Sequence, residues 1–478
     1  MSLRKQTLSG LIWTFIDTFL VSGLFFVAMI YIARILGPKE FGLIGMISVF
    51  IAIGTSLVDS GLSSSIVRTK DADNRDFSTV FYLNLGMSFV VYLVLFLAAP
   101  WIADFFSQPI LSGVIRLYCF SFIISAFSAV QLAQLNREMQ FQKIAKYNVP
   151  GTLIGIAVGV ILSLYGYGVW SIVWMYLTKQ LVQSLILWIF STWKPTLYFS
   201  KEKMKYHYGF GYKLMLSGLL NTVFDNIYNI VIGRYYTVQS VGYFERARTF
   251  NLYPVSTLTS IISRVTYPLL AKIQDEKERI SKVYKQLLQF SFFITAPLML
   301  GAAAIAAPLF ELVLGEQWMP AVTFFQILCL SSIFIPIHSF NLNVLKVFGR
   351  SDLFLRLEIY KKLTVVIAIA ISLPFGVIGL VWSSVATSFI ALLINTYYSQ
   401  DLINYKTGRQ LLDMLPTFLI AGLVAVLMFV LVYKLKSYSL WLQIILPSIV
   451  GVLVYFGTSI ILKRPSLQFG LELIKPNK

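Results

Sequence analysis

PKEFGLIGMISVFIAIGTSLVDSGLSSSIVRTK, from Pro38 to Lys70, decides the class of fold. Between Phe41 and Ser64 one side chain is charged, Asp59, while Lys39 and Glu40 stand before the run and Arg68 and Lys70 behind it. A helix crossing the hydrocarbon core of a bilayer needs about 20 apolar residues with polar flanks, and this stretch meets that requirement. Working outward, comparable runs centre on 11–34, 79–101, 111–133, 149–167, 169–190, 210–232, 240–264, 287–309, 319–341, 359–375, 377–398, 415–433 and 440–462. With the first, these predict an all-α polytopic membrane protein of about fourteen transmembrane helices. The N-terminal run from Leu11 to Ile35 is too long for the core of a cleavable signal and reads as a retained first span.

Composition agrees. Hydrophobic residues make up 57% of the 478, and charged residues only 13%, where a soluble chain carries about 25%. The net charge of +18 would suggest nucleic acid in a soluble protein, but here the Lys and Arg residues sit in short loops. With the N-terminus placed in the cytoplasm, thirty of the 39 fall on the cytoplasmic side, six on the other, and Lys179, Arg246 and Arg248 lie inside spans. That asymmetry is the positive-inside rule. It places both termini in the cytoplasm, with a bacterial inner (plasma) membrane location expected from the resemblance described below, and argues against a nucleic-acid partner. Cys119 and Cys329 lie in apolar runs, and His207 and His338 stand apart, so neither a disulfide framework nor a metal site is expected. No loop exceeds roughly twenty residues. An enzyme such as a membrane polymerase or glycosyltransferase would need acid/base residues in a larger extramembrane domain, and no enzyme is expected.

The chain repeats itself. Arg34 and Gly42 in ARILGPKEFGLIGM recur as Arg234 and Gly242 in GRYYTVQSVGYFER, at an offset of 200. CFSFIIS from Cys119 recurs as CLSSIFI from Cys329, and LSLYGYG at Leu162 echoes ISLPFGVIG at Ile371. Three divisions follow: a six-helix lobe over 1–200, its parallel copy over 201–400, and two further helices with a cytoplasmic tail over 401–478. Such duplication suits alternating access rather than a fixed pore or scaffold, with substrate between the halves.

Several segments carry a family resemblance. ARILGPKEFG (Ala33–Gly42), VDSGLSSSIVR (Val58–Arg68), LNREMQF (Leu135–Phe141), TWKP (Thr192–Pro195), GYFERARTFNLYP (Gly242–Pro254), SRVTYPLLAKIQDEKER (Ser263–Arg279) and LGEQW (Leu314–Trp318) are spread over most of 30–320. They resemble the bacterial polysaccharide flippases of the multidrug/oligosaccharidyl-lipid/polysaccharide exporter superfamily, the group exporting capsular or colanic-acid-type polysaccharide in particular. The resemblance implies a MATE-like fold with a V-shaped cavity between two six-helix lobes. It implies a lipid-linked oligosaccharide as substrate, carried on undecaprenyl diphosphate, and partnership with a polysaccharide polymerase and a chain-length regulator. A monomer is expected, without a cofactor, with Na+ or H+ coupling left open. The competing function is a cation-coupled multidrug exporter of the same superfamily.

Ionisable residues inside spans cost about 2.5–3.5 kcal/mol on insertion scales and mark sites by default. Asn221, Asp225 and Asn229 fall at i, i+4 and i+8, on one face of a continuous helix. They line the cavity or form a packed polar seam. Glu245, Arg246 and Arg248 open the eighth span and Arg264 ends it. Guanidinium groups suit a lipid diphosphate, whereas Glu245 and Arg248 at i, i+3 can pair within the helix, and Arg264 can be a topogenic anchor. Asp17 and Asp59 are candidates for ion coupling, Asp59 alternatively a solvated helix-end carboxylate. Lys179, in the sixth span, pairs with one of them or serves coupling, as Glu245 does in the same scheme.

Overall fold

The computed structural model describes residues 21–59 and 61–474, apart from the side chains of Lys213, Leu214, Ser217, Arg264, Val265, Leu473 and Ile474. The described chain is helical, with no strand among the described residues. The first unit holds α1 (Gly23–Leu36), α2 (Pro38–Asp59), α3 (Leu62–Arg68), α4 (Asn74–Phe105), α5 (Ile110–Tyr118), α6 (Phe120–Arg137), α7 (Phe141–Leu164), α8 (Val169–Phe190), α9 (Lys201–Asp225) and α10 (Ile227–Tyr235). Next comes α11 (Val238–Lys272), within which the packing divides between Gly242 and Tyr243. The second unit continues with α12 (Lys277–Ala304), α13 (Ala306–Leu314), α14 (Pro320–Ser332), α15 (Ile335–Val347), α16 (Ser351–Ser372), α17 (Gly376–Ile403), α18 (Thr407–Lys434), α19 (Leu440–Ile461) and α20 (Pro465–Ile474).

Ten described segments are helical, long and apolar enough to cross a membrane, with 351–403 counted as one of them. The chain is a multi-pass membrane protein. α9 and α11 are long but fall outside the ten, since even their least charged stretches are rich in Tyr, Gly, Asn, Ser and Thr. The count of fourteen also includes the first run, of which residues 11–20 lie outside the described residues. It stays a proposal, as do the divisions at 200 and 400, which concern duplication rather than packing.

Small residues set the closest helix contacts, as membrane interfaces require, because lipid offers no hydrophobic drive for helices to associate. Gly151, Gly155 and Gly159 form an i, i+4, i+8 stripe on α7, where an added Cβ would come within 2.8 Å of Lys179 or Met175 on α8. Gly42 and Gly242 are reciprocal. A Cβ on Gly42 would stand 1.9 Å from the Val238 carbonyl oxygen, and one on Gly242 would stand 2.0 Å from that of Pro38. Pro38 and Val238 are themselves 200 apart, so the two turns that repeat in sequence meet each other as a near-symmetric pair. Glu40 in the first of these turns caps α8, accepting from the Val169 backbone N–H at 2.8 Å.

In the second unit α12 is the central element. Tyr455 on α19 donates to the Phe293 carbonyl at 2.8 Å, and Lys285 pairs with Asp413 on α18 at 2.8 Å. The last two long helices therefore pack on α12 and belong to the body of this unit.

Candidate functional site

Within the first unit, α2, α3, α4, α6 and α8 line a half-open cavity of about 590 Å³. The break that lets α3 leave the line of α2 falls at Gly61, whose φ of +65° lies in the left-handed region that glycine adopts at no steric cost. α2 contributes Thr55 and Asp59, α3 contributes Ser63, Ser64 and Arg68, and α4 contributes Asn84. α6 contributes Ser125, Ser128 and Asn136, and α8 contributes Gln180 and Gln183. No aromatic ring lines it among the described residues.

The donors and acceptors are mostly neutral. Ser125 and Ser128 donate to carbonyls of their own helix, at 2.8 Å to Phe122 and 3.1 Å to Ser125, so each hydroxyl oxygen remains an acceptor. Gln183 donates to Asn148 at 2.5 Å. The Arg68 guanidinium lies over the Phe210 ring, 4.6 Å from its centroid. Asn84 is 1% exposed, and its Oδ1 accepts no hydrogen bond among the described residues. A buried acceptor left in that state costs about 1–3 kcal/mol.

The structure brings Asp59 into this cavity together with Gln180 and Gln183. Lys179, their neighbour on α8, is half-buried, with its ammonium 4.6 Å from the centroid of the Phe25 ring. The expected polar stripe is not on one helix. α9 ends at Asp225, the backbone turns at Asn226 (φ −107°, ψ 5°), and α10 begins at Ile227. Asn221 and Asp225 are exposed, whereas Asn229 is 1% exposed and donates to Ser48 on α2 at 3.3 Å. Ser48 also reaches Asn226 Oδ1 at 3.4 Å. Asn229 thus belongs to a packed seam, because a turn between it and Asp225 rotates it onto α2.

In the second unit Arg246 is buried, and Glu245 and Arg248 are half-buried on α11. Thr249 donates to the Glu245 carbonyl at 2.8 Å, and one helical turn beyond Ala247 the buried Asn251 binds Cys329 at 3.4 Å and accepts from Ser332. Asp17 and the side chain of Arg264 lie outside the described residues. Arg234 sits at the end of α10, donating to the Phe105 carbonyl at 2.5 Å with that ring beneath its guanidinium.

A second polar cluster joins the heads of α4 and α9. Asp73 and Asp76 form a reciprocal capping box at the start of α4, with N···O distances of 2.9 and 3.0 Å. Lys203 lies between them, 3.0 Å from Asp73 and 2.7 Å from Asp76. His207, fully buried, bridges Asp76 at 3.1 Å and Ser65 of α3 at 2.8 Å. The Asp76 backbone N–H, then Lys203, hold the Asp73 carboxyl well below the usual range. Partial burial works against the Lys203 ammonium, but hydrogen bonds to Asp76 and Asp73 outweigh it and raise its pKa. Sequence reading assigned Lys203 to topogenic charge and left His207 isolated, since partners so far apart in the chain leave no local signal.

The chain is 28% identical over 373 residues to the Lipopolysaccharide biosynthesis protein WzxC of Escherichia coli (strain K12), covering 78% of this chain and 76% of that one. It is 26% identical over 331 residues to the Succinoglycan biosynthesis transport protein ExoT of Rhizobium meliloti (strain 1021), covering 68% and 67%. Among solved structures, the lipid II flippase MurJ in an inward closed conformation superposes with a TM-score of 0.72 at 17% identity, over 95% of this chain and 99% of that one. An inward-facing multidrug resistance MATE family transporter of the MOP superfamily gives 0.62 at 18% identity, over 83% and 99%. The fold is therefore of the MurJ and MATE kind, and residues 31–323 match the family described as polysaccharide biosynthesis protein. The chain belongs to the polysaccharide biosynthesis protein family.

Proposed function

We propose that this chain is a flippase that moves undecaprenyl-diphosphate-linked oligosaccharide repeat units across the inner membrane for surface polysaccharide export, by alternating access. The observation that carries the reading is the family match over 31–323 in a chain whose fold follows that of a lipid II flippase along 95% of its length. The physical need is plain. A sugar brings many hydroxyls into hydrocarbon, where each unsatisfied polar group costs several kcal/mol, so a carrier must supply hydrogen-bonding surface in an apolar body. The chain has such surface in the α2–α8 cavity. In this reading Arg246, Arg248 and Arg264 meet the diphosphate, Asn221 and Asp225 face substrate, and Asp17, Asp59, Lys179 and Glu245 are available for Na+ or H+ coupling. Both termini are cytoplasmic, and a polymerase and a chain-length regulator act on the delivered units.

The test is complementation. In a strain lacking its own exporter, this chain restores surface polysaccharide and clears lipid-linked oligosaccharide from the inner leaflet. Accumulation there, with the protein present at normal level, rejects the reading. A gain of drug resistance in its place favours a multidrug exporter, the second reading that the likeness to the MATE transporter supports.

A further inference from the structure

We infer that the cavity within the first unit is a sugar subsite, in which a hydroxylated ring of the lipid-linked oligosaccharide is held by hydrogen bonds to Asn84, Gln180, Gln183 and Asp59. This inference rests on the flippase reading and adds to it a place and a chemistry of recognition. Four observations carry it. The volume, about 590 Å³, lies in the range of small-molecule sites, about 300–1,000 Å³. It is far larger than a cage for one cation, whose oxygen ligands must converge at about 2–2.6 Å. Carboxamides donate and accept at once, which matches sugar hydroxyls that also do both. The lining has no aromatic ring among the described residues, so recognition is by hydrogen bonding and not by stacking. Lastly, Asn84 on α4 is 99% buried, lines this cavity, and has an Oδ1 without a partner among the described residues. A carboxamide turned toward the cavity would take a ligand hydroxyl as the missing donor.

The unsatisfied carboxamide separates use from packing. If Asn84 were only structural, replacing it by the similarly sized apolar leucine would remove a buried polar group without a partner, and the protein would gain stability and keep transport. If it holds a sugar, Asn84→Leu gains stability and loses binding.

The experiment uses the full chain in lipid nanodiscs. The probes are lipid-linked oligosaccharides extracted from producing cells with this gene deleted, undecaprenyl phosphate without sugar, and sodium chloride. Thermal stabilisation of wild type by each probe is compared with that of Asn84→Leu and of Ala129→Trp, which fills the cavity from α6. The expected result is at least tenfold weaker apparent affinity for the sugar-bearing lipid in both variants, an unchanged response to undecaprenyl phosphate, and an unfolding temperature for Asn84→Leu no lower than wild type. Wild-type affinity in both variants overturns the subsite and leaves the flippase reading intact. Stabilisation by sodium chloride that Asn84→Leu abolishes, with sugar-lipid affinity unaltered, overturns it in favour of a cation site. A wild-type chain that neither binds nor translocates the sugar-bearing lipid overturns the flippase reading and the subsite with it.

Discussion

Placing a methyl group on Gly42 tests the reciprocal turn contact directly. The Cβ of Gly42→Ala would lie 1.9 Å from the Val238 carbonyl oxygen and 2.8 Å from both its carbonyl carbon and Cγ1. Ordinary contact begins near 3.4 Å, so the backbones must part by more than an ångström, and a carbonyl in a helix cannot swing aside as a side chain would. Overpacking of this kind costs about 1–3 kcal/mol. For a unit of this size that is about 2–4 °C of unfolding temperature per kcal/mol. Gly242→Ala meets the Pro38 carbonyl at 2.0 Å and should cost the same. Because the two contacts face each other, the separation forced by one methyl group makes room for the second. The double variant should then be less destabilised than the sum of the singles by about 1 kcal/mol or more, beyond the few tenths expected of independent sites. Gly86 on α4 is the control. A Cβ there meets nothing within 4 Å, and a mid-helix Gly→Ala in open space stabilises by about 0.4–1 kcal/mol. The assay is thermal unfolding of purified protein in one detergent or nanodisc. Additive singles, or a Gly42→Ala no less stable than Gly86→Ala, would refute the reciprocal contact.

Three further outcomes are expected. Asp76→Asn removes the charge and replaces one of the two carboxylate oxygens that bind Lys203 and His207 with an NH2 donor, and the loss of charge-assisted hydrogen bonds should lower first-unit stability by about 1.5–3 kcal/mol; an unchanged unfolding temperature would show the cluster to be loose. The Asp73 carboxyl is depressed in the fold, so its contribution is present above its ordinary value of 3.8 and is lost as pH falls below it. The Lys203 ammonium is raised from 10.5, so its share is full below that pH and fades above it; the stability that Asp73 and Lys203 contribute should therefore fall away in acid and in alkali, and an Asp73→Asn variant that loses stability in acid as steeply as wild type would contradict the assignment. For α11, if Arg248 meets phosphate, Arg248→Lys fails in export because a point charge cannot make the bidentate contact, and Glu245→Gln with Arg248→Gln stays inactive. Full export by that double variant would reduce Arg248 to a partner of Glu245.

Legibility followed the range of the interactions involved. Apolar run length is a local property, and the ten described segments long and apolar enough to span coincide with runs read from it, although several runs, Phe41–Ser64 among them, are divided between two helices. The pairing of Gly42 with Gly242 was legible as a match at an offset of 200, and the structure shows the carbonyl oxygen that a Cβ at each position would meet. The polar stripe misled because periodicity presumes one unbroken helix. No proline or glycine announces the turn at Asn226, and its side chain meets Ser48, a residue 178 positions away. Such a break is specified by tertiary contact, so a count of i, i+4, i+8 positions cannot detect it. Charge was the signal used to search for a site, and charge is costly in a membrane, so the search favoured Arg246, Arg248 and Asp225. The first-unit cavity is lined mostly by neutral groups. Asn84 and Ser128 are neutral, each passes unnoticed in its own apolar run, and only the convergence of α4 and α6 with α2 and α8 gathers them with Ser125 and Asn136. For a substrate that is itself mostly neutral hydroxyls, carboxamides and hydroxyls are the complementary surface. A sequence search for such carriers should therefore weigh isolated Asn and Gln in apolar helices alongside the charges.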